Sequence, residues 1–228
     1  KDKIEMKNPH PVFSAFQQLE YSQNYTDEKK RRHVIPTYMG LISEIDHHIG
    51  RLISFLDTNN LSENTVIIFT SDHGDYLGDH WLGEKDLFHE PSIRIPLIIV
   101  EPKMPINLRG TSEKRMVESV DIVPTIVETM GGSYASNRME GRSLVPLLFG
   151  DSPAWRDTVF AEIDYSDRGA RQVLDKHPYE CRGYMIKNTQ WKYIYWEGCR
   201  AQLYDLLNDP NEFNDLAENH DQSERLED

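Results

Sequence analysis

The chain has 228 residues, of which 38% are hydrophobic, so it is long enough to bury one substantial core and a smaller appendage. Its 38 Asp and Glu residues outnumber its 25 Lys and Arg residues, which gives a net charge of -13. Nucleic acids and anionic membrane surfaces repel a protein this acidic, so neither is expected as a partner. The apolar runs are about five residues long, far short of a bilayer-spanning helix.

Two cysteines do not make a disulfide framework. The composition therefore leaves the compartment open between cytoplasm and periplasm. It also leaves the oligomeric state open, with a homo-oligomer as one alternative.

The first 27 residues are polar and contain Pro9 and Pro11, which predicts a loop or linker. Apolar side chains then recur at helical spacing from Val34 to Leu56 and predict a long amphipathic helix packed on a sheet.

Three potential metal ligands occur together within this predicted helix. Asp46, His47 and His48 are consecutive, and consecutive residues on a helix do not face one another. We therefore interpret them as exposed or packing residues.

A strand with polar residues at its end follows this helix. The run Val66–Phe69 is continuously apolar, which is typical of a strand covered on both faces in a parallel α/β sheet. Such sheets bind ligands beyond the carboxyl ends of their strands, where Asp72 and His73 lie. Gly74 allows a sharp turn or a close approach of the backbone. The pair is either a metal-binding strand end or an N-cap carboxylate beside a solvated histidine.

A segment of about 25 residues separates this strand from the next one, Pro96–Val100, and connections of that length are usually functional or disordered. From His73 onward the segment carries three His, five acidic residues and Lys85. It also contains Tyr76, Trp81 and Phe88, and aromatic residues argue against disorder. We therefore expect an ordered functional loop.

The loop resembles a known protein family. Residues 71–85 read S-D-H-G-D-Y-L-G-D-H-W-L-G-E-K, and His89-Glu90 and R-I-P-L-I follow. This composite motif resembles the sulfatases and phosphonate monoester hydrolases of the alkaline phosphatase superfamily. Further segments agree in order, so that the resemblance covers residues from about 30 to 217: V-D-I-V-P-T-I from Val120, G-R-S-L from Gly141, W-K-Y from Trp191, L-Y-D-L from Leu203 and D-P-N-E from Asp209.

The resemblance implies roles for three residues. Asp72 and His73 match the pair that ligates the active-site divalent cation, although many members have Asn in place of His73. Lys85, thirteen residues after Asp72, matches a lysine that touches the charged oxygens of the substrate. A cation and an ammonium group can stabilise the negative charge that gathers on a sulfate or phosphonate ester during displacement. Oxygen and nitrogen ligands suggest Ca, Mn, Mg or Zn. The alternative for Lys85 is a solvated loop lysine.

The nucleophile of the family is missing from these residues. It lies in a Cys-x-Pro-x-Arg motif whose cysteine is converted to formylglycine, but Cys181 precedes Arg-Gly-Tyr-Met and Cys199 precedes Arg-Ala-Gln-Leu. We therefore expect the carboxyl-terminal half of a larger enzyme, inactive alone. Its partners would be a small sulfate or phosphonate ester and the missing N-terminal half, which would carry the formylglycine.

After the second strand, Ser119 is predicted to cap a helix over Val120–Met130 that ends at Gly131-Gly132. Asp121 lies in its first turn, where we expect it to stabilise the helix dipole.

From about Trp155 the pattern changes to short alternating runs, which predict a small antiparallel sheet with a turn at Asn188-Thr189. The loop Tyr165–Tyr179, with Arg168, either reaches the mouth of the active site or is a solvated connector. The four predicted strands are Thr158–Ile163, Gly183–Lys187, Gln190–Trp196 and Gln202–Leu206.

The predicted fold class is α/β: part of a doubly wound, mostly parallel sheet with helices on both faces, plus a small C-terminal antiparallel sheet. The predicted divisions are a linker (residues 1–27), the C-terminal half of a sulfatase-type α/β catalytic domain (28–150) and an antiparallel β subdomain (151–228).

The predicted function is a metal-dependent hydrolase of sulfate or phosphonate/phosphate esters. His73, with the Gly-Glu-Lys and Phe-His-Glu context, leans toward the phosphonate or phosphodiester branch. The alternative is a non-catalytic binding or assembly domain that retains the sulfatase fold.

Overall fold

The computed structural model describes residues 3–135 and 137–217. The chain forms two compact units. The first comprises the described residues of Lys1–His47, His73–Ile95 and Phe160–Asp228, and the second comprises His48–Asp72 and the described residues of Pro96–Val159. The helices and strands are, in chain order, α1 (Pro11–Gln17), α2 (Glu20–Gln23), α3 (Glu28–Thr58), β1 (Ile67–Thr70), α4 (Glu90–Ile93), β2 (Leu97–Val100), α5 (Ile122–Thr129), α6 (Val145–Leu148), β3 (Val159–Asp164), α7 (Gly169–Val173), β4 (Arg182–Lys187), β5 (Trp191–Trp196) and β6 (Gln202–Asp205).

The predicted loop over residues 1–27 is wrong for residues 11–23, which form α1 and α2. Pro11 occupies the first turn of α1, where a proline is well tolerated because it lacks only an N–H that would have no helical partner. The His10 ring caps the helix by accepting a hydrogen bond from the Val12 N–H at 3.2 Å. Val12 and Phe16 are buried in the core of the first unit, so these residues belong to the folded body. The division into domains stays a prediction.

The C-terminal antiparallel sheet is confirmed, with strand order β3-β4-β5-β6. In the β4–β5 pair Met185 lies opposite Ile194, and both side chains are buried. The Asn188 side chain closes the predicted turn by accepting hydrogen bonds from the N–H groups of Gln190 and Trp191. Alternation with period two therefore identified this sheet.

The strands of the second unit differ from the prediction. β1 and β2 pair antiparallel, with Ile68 opposite Ile99, so this pair does not confirm a parallel sheet. A continuous apolar run indicates burial on both faces but does not specify the direction of the neighbouring strand. On β2, Ile98 is 58% exposed and Val100 is 48% exposed, so one face of this pair is open to solvent.

The long amphipathic helix is confirmed as α3, which has 31 residues and is followed by Asn60 in a left-handed conformation (φ 57°). Its packing on a sheet stays a prediction. Its three potential metal ligands, Asp46, His47 and His48, are exposed. No helix in the described part of the chain is long and apolar enough to cross a bilayer. The apolar stripe of α3 is largely exposed and includes Val34, Leu41, Ile42, Ile45, Leu52 and Ile53.

The helix predicted after Ser119 begins with a 3₁₀ turn, Ser119–Asp121, that continues into α5. Glu118, rather than Ser119, is the capping residue. Asp121 is fully buried, and its carboxylate accepts hydrogen bonds from Arg156 at 2.5 and 2.7 Å and from the Arg142 N–H at 2.7 Å. Asp121 lies in the first turn as expected and accepts the Glu118 N–H there at 2.8 Å. Its other partners also tie α5 to distant parts of the second unit.

Candidate active site

The end of β1 exposes the first candidate ligand. Asp72 lies two residues beyond Thr70 and is exposed. Its Oδ1 accepts a hydrogen bond from the Ser71 hydroxyl at 3.3 Å. A carboxylate at a strand end, within reach of solvent, is well placed to bind a hard cation.

The contacts of His73 define its tautomer. Its Nδ1 lies 2.8 Å from the carbonyl oxygen of Gly74, and its Nε2 lies 2.9 Å from the Nζ of Lys85. A carbonyl only accepts and an ammonium only donates, so Nδ1 carries the proton and Nε2 presents its lone pair. The structure therefore brings together two of the three predicted site residues, His73 and Lys85, both in the first unit.

Gly74 is required by a close backbone approach, although the approach is to protein rather than to a ligand. Its N–H donates to the carbonyl of Ser92 at 2.7 Å. A Cβ at this position would lie 1.9 Å from the carbonyl oxygen of Pro91. The contact holds the residue after His73 against the end of the loop, so it limits the positions available to the imidazole.

The other two histidines of the loop lie in the core. His80 Nδ1 is 2.5 Å from Glu5 Oε1, and its ring stacks on His89 with centroids 4.0 Å apart. The Nδ1 of His89 lies 3.0 Å from the hydroxyl of Tyr76. Burial, together with His80 and Lys192 nearby, lowers the pKa of His89 well below its ordinary value. Both rings are nearly inaccessible, with 3% exposure each, so they are structural.

A buried ion-pair network joins motifs that are far apart in the sequence. Lys192, which has no exposed surface, lies 3.0 Å from Glu90 Oε1 and also pairs with Glu212. Glu212 accepts the N–H of Glu90 at 2.7 Å, at the start of α4. Although burial opposes ionisation, Lys192 and Lys187 hold the pKa of Glu90 below its ordinary value. The sequence signal for this network was the resemblance of W-K-Y and D-P-N-E to the family, but it did not indicate that the two motifs meet.

The two cysteines have structural surroundings. Cys181 is fully buried in the core, and its Sγ lies 3.3 Å from the carbonyl of His177. Burial raises the pKa of its thiol, which disfavours the nucleophilic thiolate. Cys199 is partly buried and packs against the same core.

Matches to family models cover most of the chain. A model described as Sulfatase matches residues 6–133, and one described as N-sulphoglucosamine sulphohydrolase, C-terminal, matches residues 78–227. The chain belongs to the sulfatase family.

Individual relatives of this sulfatase-family chain include both sulfatases and phosphonate hydrolases. The chain is 36% identical to the multifunctional alkaline phosphatase superfamily protein PehA of Trinickia caryophylli, over 90% of the chain and 40% of the relative. It is 34% identical to a choline-sulfatase of Rhizobium meliloti, over 86% of the chain and 36% of the relative. The chain thus spans about 40% of the length of these relatives.

Solved structures agree with this assignment. The phosphonate monoester hydrolase of Agrobacterium radiobacter superposes with a TM-score of 0.76 at 34% identity, covering 82% of this chain and 38% of that one. The enzyme of the same name from Silicibacter pomeroyi gives a TM-score of 0.87 at 26% identity, covering 99% of this chain and 46% of that one. The fold is therefore that of these sulfatase-family enzymes.

Proposed function

We propose that this chain is part of a metal-dependent hydrolase of sulfate or phosphonate/phosphate esters. Asp72 and His73 would be metal ligands, and Lys85 would be the charge-stabilising group. The observation that carries the proposal is the 2.9 Å contact between Lys85 Nζ and Nε2 of His73, which lies three residues beyond the end of β1. This contact joins a candidate metal ligand and a candidate substrate-binding lysine that are twelve residues apart in the sequence.

The donor chemistry of His73 fits a divalent cation. Histidine ligands commonly donate their second ring N–H to a backbone carbonyl, which fixes the tautomer and the orientation of the ring. The Nδ1 contact of His73 with Gly74 has this form, so Nε2 is the atom that would bind the cation. Nε2 would then exchange its hydrogen bond from Lys85 Nζ for the cation, and the ammonium would turn to the substrate. A carboxylate from Asp72 with an imidazole suits Mn or Zn, and also Ca or Mg if oxygen ligands complete the site.

Lys85 has the charge that the reaction requires. In displacement at sulfur or phosphorus, negative charge grows on the non-bridging oxygens and on the leaving oxygen. The bound cation would act as a Lewis acid toward those oxygens. An ammonium that already faces the ring of a metal ligand can donate hydrogen bonds to the same oxygens when the substrate enters.

The remaining parts of the enzyme would come from residues that precede Lys1. The apolar stripe of α3 and the open face of β2 are surfaces that a folded protein normally covers. We assign them to an N-terminal half that extends the β1–β2 pair into a doubly wound, mostly parallel sheet. That half would also supply further metal ligands and a formylglycine nucleophile, since Cys181 is buried.

The relatives support both ester classes as substrates. The proteins with 36% and 34% identity bear the names of a multifunctional superfamily protein and a choline-sulfatase, and the structure with 34% identity is a phosphonate monoester hydrolase. Small anionic aryl esters of sulfate and of phosphonate are therefore the substrates to assay first. The context of His73 favours greater activity on the phosphonate ester.

Metal content tests the proposal directly. The intact polypeptide, purified without chelators, should contain a stoichiometric divalent cation when measured by inductively coupled plasma mass spectrometry. Asp72→Ala and His73→Ala should lower that content and the turnover of both esters. Asp79→Ala is the matched control, because Asp79 is also an exposed aspartate directly before a histidine.

The two function classes give opposite results. If the wild-type protein contains no divalent cation and Asp72→Ala leaves any ester hydrolysis unchanged, the hydrolase site is wrong. The non-catalytic binding or assembly domain is then the function to pursue.

A further inference from the structure

Lys85 lies between two residues with unfavourable backbone conformations. Glu84 has a φ of 55° and Asp86 has a φ of 100°, in the region that favours glycine. Such conformations persist only where the surrounding structure holds them, and they concentrate at functional sites. The contacts that hold Glu84 and Asp86 therefore also hold the backbone of Lys85.

On the amino-terminal side the backbone itself provides the anchor. The carbonyl of Glu84 accepts the N–H of Tyr76 at 2.8 Å, and Tyr76 is fully buried. Gly83, one residue earlier, packs so closely on α2 that a Cβ there would lie 2.5 Å from the carbonyl oxygen of Tyr21. This side of Lys85 is thus fixed to the core of the first unit.

On the carboxyl-terminal side the anchor is a side chain. The Asp86 carboxylate is 6% exposed, and its Oδ1 accepts a hydrogen bond from Arg168 Nη2 at 2.9 Å. The hydroxyl of Tyr21 lies 3.5 Å from the other oxygen. Burial and the Asp86 charge raise the pKa of Tyr21 above its ordinary range, so the phenol remains a donor.

Arg168 is itself held by a rigid part of the unit. It precedes α7, and its N–H donates to the carbonyl of the fully buried Tyr165 at 3.0 Å. The next residue, Gly169, packs against Leu19, where a Cβ would lie 2.9 Å from the leucine side chain. The loop Tyr165–Tyr179 therefore places Arg168 against Asp86, the residue that follows Lys85, although the two are 82 positions apart in the sequence.

We infer that Asp86, held by Arg168, is a positioning residue that sets the location of the Lys85 ammonium. The inference rests on the proposed function, in which Lys85 stabilises charge on the substrate. The lysine side chain is long and flexible, so the location of its ammonium depends on a fixed backbone. Misplacing a catalytic group by about 1 Å can cost 10²-fold in rate.

A double-mutant cycle with Lys85 tests this role in the intact polypeptide. Asp86→Asn and Arg168→Gln should each lower kcat on an aryl sulfate and an aryl phosphonate by about 10- to 100-fold, with a smaller change in KM. In a Lys85→Ala background the same substitutions should change kcat by less than about twofold, because the group they position is gone. Asp86 is nearly buried, so Asp86→Asn could lower kcat by impairing folding. Arg168→Gln separates the two causes, because Arg168 is 39% exposed and its replacement disturbs the fold less.

The controls come from a second Arg–Asp pair in the same unit. Arg182 and Asp164 lie 3.7 Å apart, and both are about half exposed. Arg182→Gln and Asp164→Asn should leave kcat unchanged. The inference is overturned if Asp86→Asn and Arg168→Gln leave kcat unchanged in the wild type, or cost the same factor with and without Lys85. If Lys85→Ala itself leaves kcat unchanged, the proposed function of Lys85 fails instead.

Discussion

Two Asp-His pairs occur seven residues apart and have opposite surroundings. In Asp72-His73 the aspartate is exposed and the imidazole faces Lys85. In Asp79-His80 the aspartate is also exposed, but the imidazole is buried against Glu5 and His89. The same dipeptide therefore supplies a candidate metal ligand in one place and a core residue in the other.

The difference follows from the backbone that carries each pair. His73 continues from a strand end, whereas His80 lies within a short 3₁₀ turn, Asp79–Trp81, with a φ of 52°. That left-handed residue turns the His80 ring into the core of the first unit. Residue type alone does not identify a ligand, because the local chain direction decides whether the ring faces solvent or core.

The largest effect should come from His73. Removing its ring takes away a proposed metal ligand and the partner of Lys85, so His73→Ala should reduce turnover by about 10²–10³-fold, the size expected when a transition-state stabiliser is lost. The free energy of unfolding of His73→Ala should differ from that of the wild type by less than about 1 kcal/mol, since the His73 ring is only partly buried. Steady-state kinetics and urea unfolding measure the two quantities. A stable His73→Ala protein with wild-type turnover would show that His73 does not serve the site.

His80→Ala should show the opposite pattern. The ring and Glu5 form a pair with side-chain exposures of 4% and 5%, and removing one partner of such a pair costs about 3 kcal/mol. Metal content per folded chain should remain that of the wild type. Asp79→Ala, at the exposed neighbour, serves as the control and should stay within about 0.5 kcal/mol. Loss of the metal from folded His80→Ala would show that both pairs serve the site.

A third buried histidine extends the comparison to pH. Burial lowers the pKa of His10 from 6.5 to about 4, because the folded state favours the neutral ring. The unfolded state therefore takes up the proton first, so stability is complete above pH 6.5 and falls as the pH drops toward 4. The loss amounts to about 3 kcal/mol.

His10→Asn keeps a capping side chain without a titrating ring, so its unfolding free energy should fall less steeply over the same pH range. Urea titrations at several pH values measure both slopes. If the wild type and His10→Asn lost stability with the same slope against pH, His10 would not be the cause of the pH dependence.

The smallest effect concerns the stability of the Arg168 variant. Arg168 is 39% exposed but its partner Asp86 is only 6% exposed, so removing the arginine leaves a nearly buried carboxylate without its charge partner. Because Gln can still donate a hydrogen bond to Asp86, Arg168→Gln should lower the free energy of unfolding by about 1 kcal/mol while lowering kcat. A loss of several kcal/mol would assign Arg168 to the fold rather than to the position of Lys85.

Local patterns predicted much of the fold. Period 3.6 identified α3, period two identified the strands of the C-terminal sheet, and an apolar run identified β1. The errors lie where a local signal had two meanings. Pro11 begins a helix instead of marking a loop, and Glu118 rather than Ser119 caps the turn before α5. The mostly parallel sheet is not confirmed, since the β1–β2 pair is antiparallel.

The sequence by itself determined the family, the strand that precedes Asp72, and the residues proposed for the site, because a composite motif and short-range periodicity are local features of the chain. Only the tertiary structure decided which of the three loop histidines meets Lys85, and that Lys192 joins Glu90 to Glu212. It alone brought Arg168 to Asp86, 82 positions away. These contacts join residues that are far apart in the sequence. Periodicity within one strand or helix carries no information about which distant segments pack together.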